Sequence, residues 1–591
     1  MASRVLGRRT GGTALLSAAL LLAALAPAPV AAAGPAIAQQ AYAKASNPGL
    51  YGYFGGAGAV SGNTMVVGAR GESSASPGVN GDQTDTSLAG AGAAYVFVRS
   101  GGVWTQQAYL KASNPEANAE FGYAVAISGD TIAVAAPWEK SAATGINGNE
   151  ADTSASEAGA VYVFTRTNGT WSQQAYLKAS NTDAGDGFGY SVAIDGNLMV
   201  VGAAYESSAS TGVNGDERSN DAQFAGAAYV FGRLGSTWTQ AAYLKASNAR
   251  ANAFFGSSVG ISGTSIVVGA PSDSSAATGV NGNQAETTAP NAGAAYVFAL
   301  SGPVWYQQAY LKASEVESGD QFGTAVGISG NTVAVGAPYA VTGTGAASVF
   351  ARSGTTWTPQ ADLVPTVAPD AGDWFGMSVA VSGDTILVGA SAEDGGATGV
   401  NGDATLNTVT GSGAAYSFVR TGAAWAQQAY LKASNTGLGD SLGSSVAVSG
   451  DVLVVGASNE ASSSPGVNGD GTDNSVDGAG AAYAFFRSPI ATKTTIASAS
   501  SVTLGATLKV AGTVSPSAAP GTVTVSRYRL ESGKWKLIGA AKVAVKAGKY
   551  AYAFKPNARG SWRLAAAYSG GAGDGATYSA SKSANKAVTV K

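Results

Sequence analysis

The chain contains neither cysteine nor histidine. Without thiols it can form no disulfide and no thiolate metal site. Without imidazole it has no Ser-His-Asp triad, no Cys-His pair and no His-ligated zinc or iron. Charge is also sparse, at 12% of residues, while 45% are hydrophobic and 82 are glycine. That balance argues against disorder and suits many short strands joined by tight turns. Long apolar runs are missing after the first forty residues, so no later segment reads as a membrane-spanning helix.

The one apolar run that exists, Thr13–Ala26, follows Arg4, Arg8 and Arg9 and precedes small residues ending near Ala33 or Ala38. A basic region, a short apolar core and small-residue cleavage sites make a secretory signal peptide over 1–38. No cysteine follows to anchor a lipid. The expectation is bacterial-type export and a secreted or surface-associated protein.

The dominant pattern is repetition. A Phe-Gly pair stands at Phe54, Phe121, Phe188, Phe255, Phe322 and Phe375, with Leu442-Gly443 continuing the series; the spacing is 67 residues except for one interval of 53. Trp104, Trp171, Trp238, Trp305, Trp357 and Trp425 keep nearly the same beat. Each unit divides into four runs of strand character, as in "FGYSVAID", "LMVVGAA", "GAAYVFGR" and "WTQAAYLKA" from Phe188 onward. The first is built of small residues, and the last two carry the bulky ones. This gradient predicts an all-β fold, a seven-bladed β-propeller whose first strands crowd an axis. The seventh unit stops at Arg487 without a fourth run, whereas "QQAYAKA" at Gln39 stands alone ahead of the first unit. That orphan is expected to complete blade seven and close the ring, which hides the edge strands. The domains so read are 1–38 signal peptide, 39–488 propeller and 489–591 a separate module.

The segments "FGSSVGISGTSIVVGAP" (Phe255–Pro271) and "FGTAVGISGNTVAVGAP" (Phe322–Pro338) resemble the FG-GAP repeat, the unit of the integrin α-subunit propeller. The likeness is closer to bacterial secreted FG-GAP proteins and spans Gln39 to Arg487. It implies a propeller fold and an extracellular binding or adhesion role. One departure stands out. The Asp-x-Asp-x-Asp-Gly calcium loop that integrin repeats often carry between the first two strands is reduced here to turns in which Asp130, Asp384 and Asp451 stand alone. The family's calcium sites are therefore not carried over.

Strand alternation puts the long loops on one face: those between second and third strands, and those linking units. The former hold "GVNGD" or a near copy, with oxygen-bearing residues in alternation: Asn80, Asp82 and Asp85; Asn147, Asn149 and Asp152; Asn468, Asp470 and Asp473. Such a set could offer oxygens to calcium, and it is equally the chemistry of Asx turns. The linking loops add Asp183 and Asp186, Glu317 and Asp320, Asp370 and Asp373, and Asp440. Paired acids suit a cation, a ligand face or glycosidic catalysis, but recurrence at equivalent positions argues against a single active centre. Trp138 and Trp374 break the repeat and could stack on a sugar ring.

From Ile490 onward the composition inverts. This stretch has 15 basic residues against Glu531 and Asp574, a net of +13, whereas 39–488 has 16 basic and 35 acidic, a net of −19. Its strand-like runs resemble the Ig-like modules of secreted bacterial proteins, which implies a small β-sandwich serving as spacer or attachment. Basic charge favours anionic envelope polymers, and no nucleic-acid reading motif is present. The function read from the sequence is non-enzymatic: glycans or a surface protein bound at the propeller face, with the basic module attaching to a surface. A polysaccharide hydrolase or lyase, and a structural matrix component, remain alternatives.

Overall fold

The computed structural model describes residues 36–489, 492–515, 519–573 and 576–591. The signal peptide expected at the amino terminus lies outside them, apart from its last three residues. Among the described residues, seven four-stranded antiparallel sheets share one plan, a propeller-type arrangement. In the third, Phe188–Asp195, Leu198–Ala203, Ala227–Leu234 and Thr237–Leu244 pair in chain order. Asp195 faces Leu198 across a two-residue turn in which Gly196 takes a φ of 60°, the left-handed conformation that such hairpins require. The second strands are buried almost throughout because neighbouring sheets cover both their faces.

The glycine near the end of most second strands is required by close approach between sheets. A Cβ on Gly202 would lie 2.0 Å from the carbonyl oxygen of Gly256, the Phe-Gly glycine of the next unit. Gly269 meets Gly323, Gly336 meets Gly376 and Gly389 meets Gly443 in the same way. The series returns on itself, since Gly456 in the last sheet meets Gly55 in the first. The hairpin turns repeat the cycle: the N–H of Gly129, Gly196, Gly263, Gly330, Gly383, Gly450 and Gly62 donates to Ser61, Ser128, Asp195, Ser262, Ser329, Ser382 and Ser449 of the preceding unit. At the outer strands the Trp indole N–H reaches the previous sheet's glutamine, as Trp238 does to Gln174 at 3.0 Å and Trp425 to Gln360 at 2.8 Å.

The orphan strand behaves as the sequence predicts. Ile37–Ala43 pairs antiparallel with Ala481–Arg487 and completes the last sheet. It starts two residues ahead of Gln39, with Ile37 opposite Arg487.

In six of the seven units a buried ion pair fastens the loop after the second strand to the fourth strand. The Glu139 carboxylate accepts from Lys178 Nζ at 2.8 Å, Tyr176 Oη at 2.8 Å and Asn114 Nδ2 at 3.1 Å, with both charged side chains fully shielded from solvent. Glu72 holds Lys111, Glu206 holds Lys245, Glu393 holds Lys432, and Glu460 holds Lys44 of the orphan strand. The shorter Asp273 leaves Lys312 3.7 Å away, and burial pulls that ammonium down to about 8. The fifth sheet has none of this. Ala340, Asp362 and Val364 stand where Glu, Tyr and Lys do elsewhere, and Ala340–Gly343, the one helix among the described residues, replaces the long loop.

The basic module folds as two sheets around one core. One carries Leu508–Ser515 and Lys549–Phe554; the other runs Ser501–Val502, Lys586–Val590, Gly560–Tyr568, Thr522–Glu531, Lys534–Ala544. Val510, Val514, Val523, Val525, Tyr550, Trp562 and Val588 fill the space between.

Breaking one buried pair should cost far more than removing it. Lys178→Met, which strands the Glu139 charge, is expected to lose about 3–5 kcal/mol. The double change with Glu139→Leu is expected to lose less. Urea denaturation followed by tryptophan fluorescence checks the order.

Candidate functional site

The "GVNGD" loops place every expected ligand atom, but as turn caps. Asn80, Asn147 and Asn468 sit at φ of 54–57° and accept, through Oδ1, the backbone N–H of Tyr109, Tyr176 and Tyr42 at 2.9 Å. Asp82 Oδ1 accepts from the N–H and hydroxyl of Thr84. Asp470 does the same with Thr472, and Asn149 accepts from Ala151 N–H. Asp85 takes the N–H groups of Ala75 and Ser87, Asp152 those of Ala142 and Ser154, and Asp473 those of Ser463 and Ser475. These donors hold the five loop carboxyls below the usual range, Asp473 at about 2 with the Ser463 and Ser475 hydroxyls the first causes. A hard cation needs six or more oxygens free to converge. Here the lone pairs already receive N–H groups, and no cluster of three or more acidic side chains suited to a metal occurs among the described residues. The donor set does not fit calcium as it stands.

The linking-loop acids divide in two. Asp183 and Asp370 are exposed and cross to the neighbouring loop, where Asn220 and Asn407 donate to them. Asp186, Asp320, Asp373 and Asp440, expected on the open face, are instead buried. Each accepts the N–H of the residue three positions earlier, Asp183, Glu317, Asp370 and Gly437. They are loop closures placed beside the buried ion pairs. Burial pushes Asp186 up to about 7 and Asp373 and Asp440 up to about 6, against the opposing N–H bonds.

The two tryptophans fare differently. Trp374 is 37% exposed and meets only Tyr339 edge-on, at 5.8 Å. Trp138 is half-buried in an arc of rings. It lies 6.1 Å from Tyr123, 6.4 Å from Tyr190 and 5.9 Å from Tyr205. Tyr123 and Tyr190 are 5.3 Å apart. Tyr205 continues the arc to Phe224 and Phe254, at 5.6 and 5.7 Å. At the other end the Arg70 guanidinium stands 5.5 Å from Tyr123 and 5.0 Å from Tyr53. A cavity of about 360 Å³ opens beside Trp138, lined by Asn118, Glu120, Lys140, Ser156 and Glu157.

Repetition makes this arc asymmetric. Tyr123 and Tyr190 follow the Phe-Gly pair directly, where the other units have Gly56, Ser257, Thr324, Met377 and Ser444. Trp138 and Tyr205 share a position with Gly71, Ser272, Ala392 and Asn459, and with Tyr339 of the fifth unit, which stands apart from the arc beside Trp374. The first strands of successive units lie side by side, so the rings gather on one stretch of the inner rim while small residues line much of the rest. Half-exposed tyrosines and a tryptophan with polar tips, beside Glu120 and Glu157, can stack on an apolar face and hydrogen-bond its hydroxyls. Sequence reading missed all of these except Trp138. The signal was available: it lay in comparing one position across units.

Six segments, residues 104–164, 171–231, 238–298, 305–350, 357–418 and 425–485, match the FG-GAP repeat family. Each runs from the fourth strand of one unit through the third strand of the next. Comparison with curated proteins returned no match.

The buried aspartates set a pH dependence. Their folded pKa values lie above the unfolded value near 4, so the stability they contribute is complete below about pH 4 and is lost as pH rises through 6 to 7. The thermal midpoint is expected to fall by several degrees between pH 5 and pH 8, and Asp186→Asn with Asp373→Asn and Asp440→Asn is expected to flatten that fall. A second melt, in calcium against chelator, is expected to show no shift; a rise of several degrees in calcium would mean that the capped loops rearrange to bind it.

Proposed function

The chain belongs to the FG-GAP repeat family, and from that premise we propose that it is an exported, non-enzymatic binding or adhesion protein. In this reading the repeats form a closed seven-bladed propeller that contacts glycans or a surface protein through its long-loop face, and the basic module is an Ig-like sandwich that attaches to anionic envelope polymers. The observation that carries the reading is the aromatic arc at Trp138, Tyr123, Tyr190 and Tyr205. It gathers more ligand-type side chains than the Tyr339–Trp374 pair, the other aromatic departure from the repeat described above. Support for closure comes from the hydrogen-bond cycle that returns from Ser449 to Gly62. Support for the sandwich comes from its two sheets on one core and from the parallel pairing of Ser501–Val502 with the last strand. Export rests on the amino-terminal sequence. A cut after Ala33 would leave the closing strand whole, whereas one after Ala38 would remove Ile37 and Ala38 from its ladder.

The non-enzymatic reading follows from the use of the acids. The recurrent carboxylates serve as caps, loop closures or halves of buried pairs. A hydrolase or lyase stays in view because Glu120 and Glu157 flank the cavity beside Trp138.

Glycan-array binding by the full chain tests the reading. Trp138→Ala with Tyr190→Ala is expected to weaken any recognised glycan by about tenfold or more, near the value of two lost ring contacts. Glu120→Gln with Glu157→Gln should leave bound glycan unhydrolysed, as in the unaltered protein. Release of new reducing ends by the unaltered chain, abolished in that variant, would replace the binding reading with the hydrolase.

A further inference from the structure

The outer face of the larger sheet of the basic module carries a second surface of ligand type, unrelated to the aromatic arc. Along Gly560–Tyr568 residues alternate strictly. Trp562, Leu564, Ala566 and Tyr568 are buried in the core, while Ser561, Arg563, Ala565 and Ala567 face away. Arg563 pairs across the ladder with Tyr528, and Tyr528 pairs with Leu537 on the next strand. Leu530 faces Trp535 two positions on, and Lys542 lies further along the same face. Trp535 is 40% exposed and Leu537 54%, whereas Trp562 on the opposite side is 2% exposed. A sheet face with no core to cover has no folding reason to hold a tryptophan, a tyrosine and two leucines.

The guanidinium of Arg563 is held between two rings, 4.8 Å from Tyr528 and 5.0 Å from Trp535. Stacking fixes its plane and leaves its N–H fork unsatisfied. Its Nε is buried without a hydrogen-bond partner, which leaves the two Nη groups for an outside ligand, and no carboxylate pairs with the guanidinium among the described residues. Arg529, on the opposite face, has Glu531. A cation oriented by aromatic rings and lacking a counter-ion is prepared for an anion from outside. Its planar fork matches a carboxylate in bidentate fashion. The surrounding sequence, 15 basic residues against two acidic over 490–591, draws in a polyanion.

We propose that this face, centred on Arg563 between Tyr528 and Trp535, binds an acidic polysaccharide of the polyuronate class. The rings take the apolar faces of successive sugars, and Arg563 takes a uronate carboxylate. A flat platform with one locked guanidinium suits a chain bearing one carboxylate per ring better than the contiguous phosphates of nucleic acid, which call for a basic groove along the backbone. The proposal rests on the reading of this module as the attachment part and deepens it, by giving the site and the polymer.

The test measures binding of the full chain to immobilised polygalacturonate, to the same polymer methyl-esterified, and to single-stranded DNA. The expected result is binding to polygalacturonate that weakens by about tenfold on esterification, the scale of one charge-assisted contact. Trp535→Ala and Arg563→Gln should each weaken it by about tenfold, whereas Trp535→Phe, which keeps a ring, should stay within about threefold. Lys546→Gln with Lys549→Gln, on the other sheet, should cost only a few-fold. Unchanged melting of each variant shows that it is folded. Polygalacturonate binding that ignores Trp535 and Arg563 and falls only with total charge would overturn this site and leave the attachment reading standing. Binding of the DNA alone through Trp535 would overturn the polymer class. Binding to none of the three would overturn both.

Discussion

A buried lysine paired with a buried carboxylate, repeated around the propeller-type domain, is the constraint from which the rest follows. Neither charge survives burial alone, so each carboxylate collects a lysine and a tyrosine hydroxyl, and all but Glu393 an asparagine amide as well. The asparagine comes from the loop that enters the unit, the carboxylate from the loop after the second strand, and the lysine and tyrosine from the fourth strand. One ionic contact thereby fixes three segments, and it settles where the long loops begin. The fifth sheet makes the same point by omission. Lysine, glutamate and both tyrosine positions change together, to Val364, Ala340, Asp362 and Ser348, and the last two now bond each other at 2.6 Å. A pair that cannot be half-removed is discarded whole, and its loop goes with it.

The repeat and the pairing of its orphan strand with the last sheet were legible in the sequence because they rest on spacing. Tight turns, small first strands and an orphan "QQAYAKA" left few arrangements open. The roles of the acids were not legible, because a carboxylate three residues from another looks alike whether it faces solvent or an N–H group. Asp186 and Asp183 differ by a buried turn that only the packed loop creates. The rings of the arc were hidden for another reason. Tyr190 sits in a first strand and Tyr123 directly ahead of one, and within a single unit they read as ordinary strand residues. The Arg563 face was hidden in turn because a period of two does not tell which face is covered.

Near-symmetry also locates specificity. Units that share hydrogen bonds, glycine contacts and ion pairs can differ only where those constraints are silent. The position after the Phe-Gly pair and the position after the second strand are such places, and they are where tyrosine and tryptophan accumulate in the second and third units, with Tyr339 alone in the fifth. The loop acids are silent in another sense: they are consumed by the turns they hold and have little left to offer a ligand.

The closing strand has a mechanical consequence. Ala481–Arg487 lies between Ile37–Ala43 and Val452–Ala457, hydrogen-bonded on both sides. Everything after Arg487, the basic module included, is strung from the end of that interior strand. A pull from downstream therefore meets no free edge to peel. It must shear two antiparallel ladders at once, with the Lys44–Glu460 pair seated at the far end of one of them, so that load is borne across the seam where the two ends of the repeat array meet.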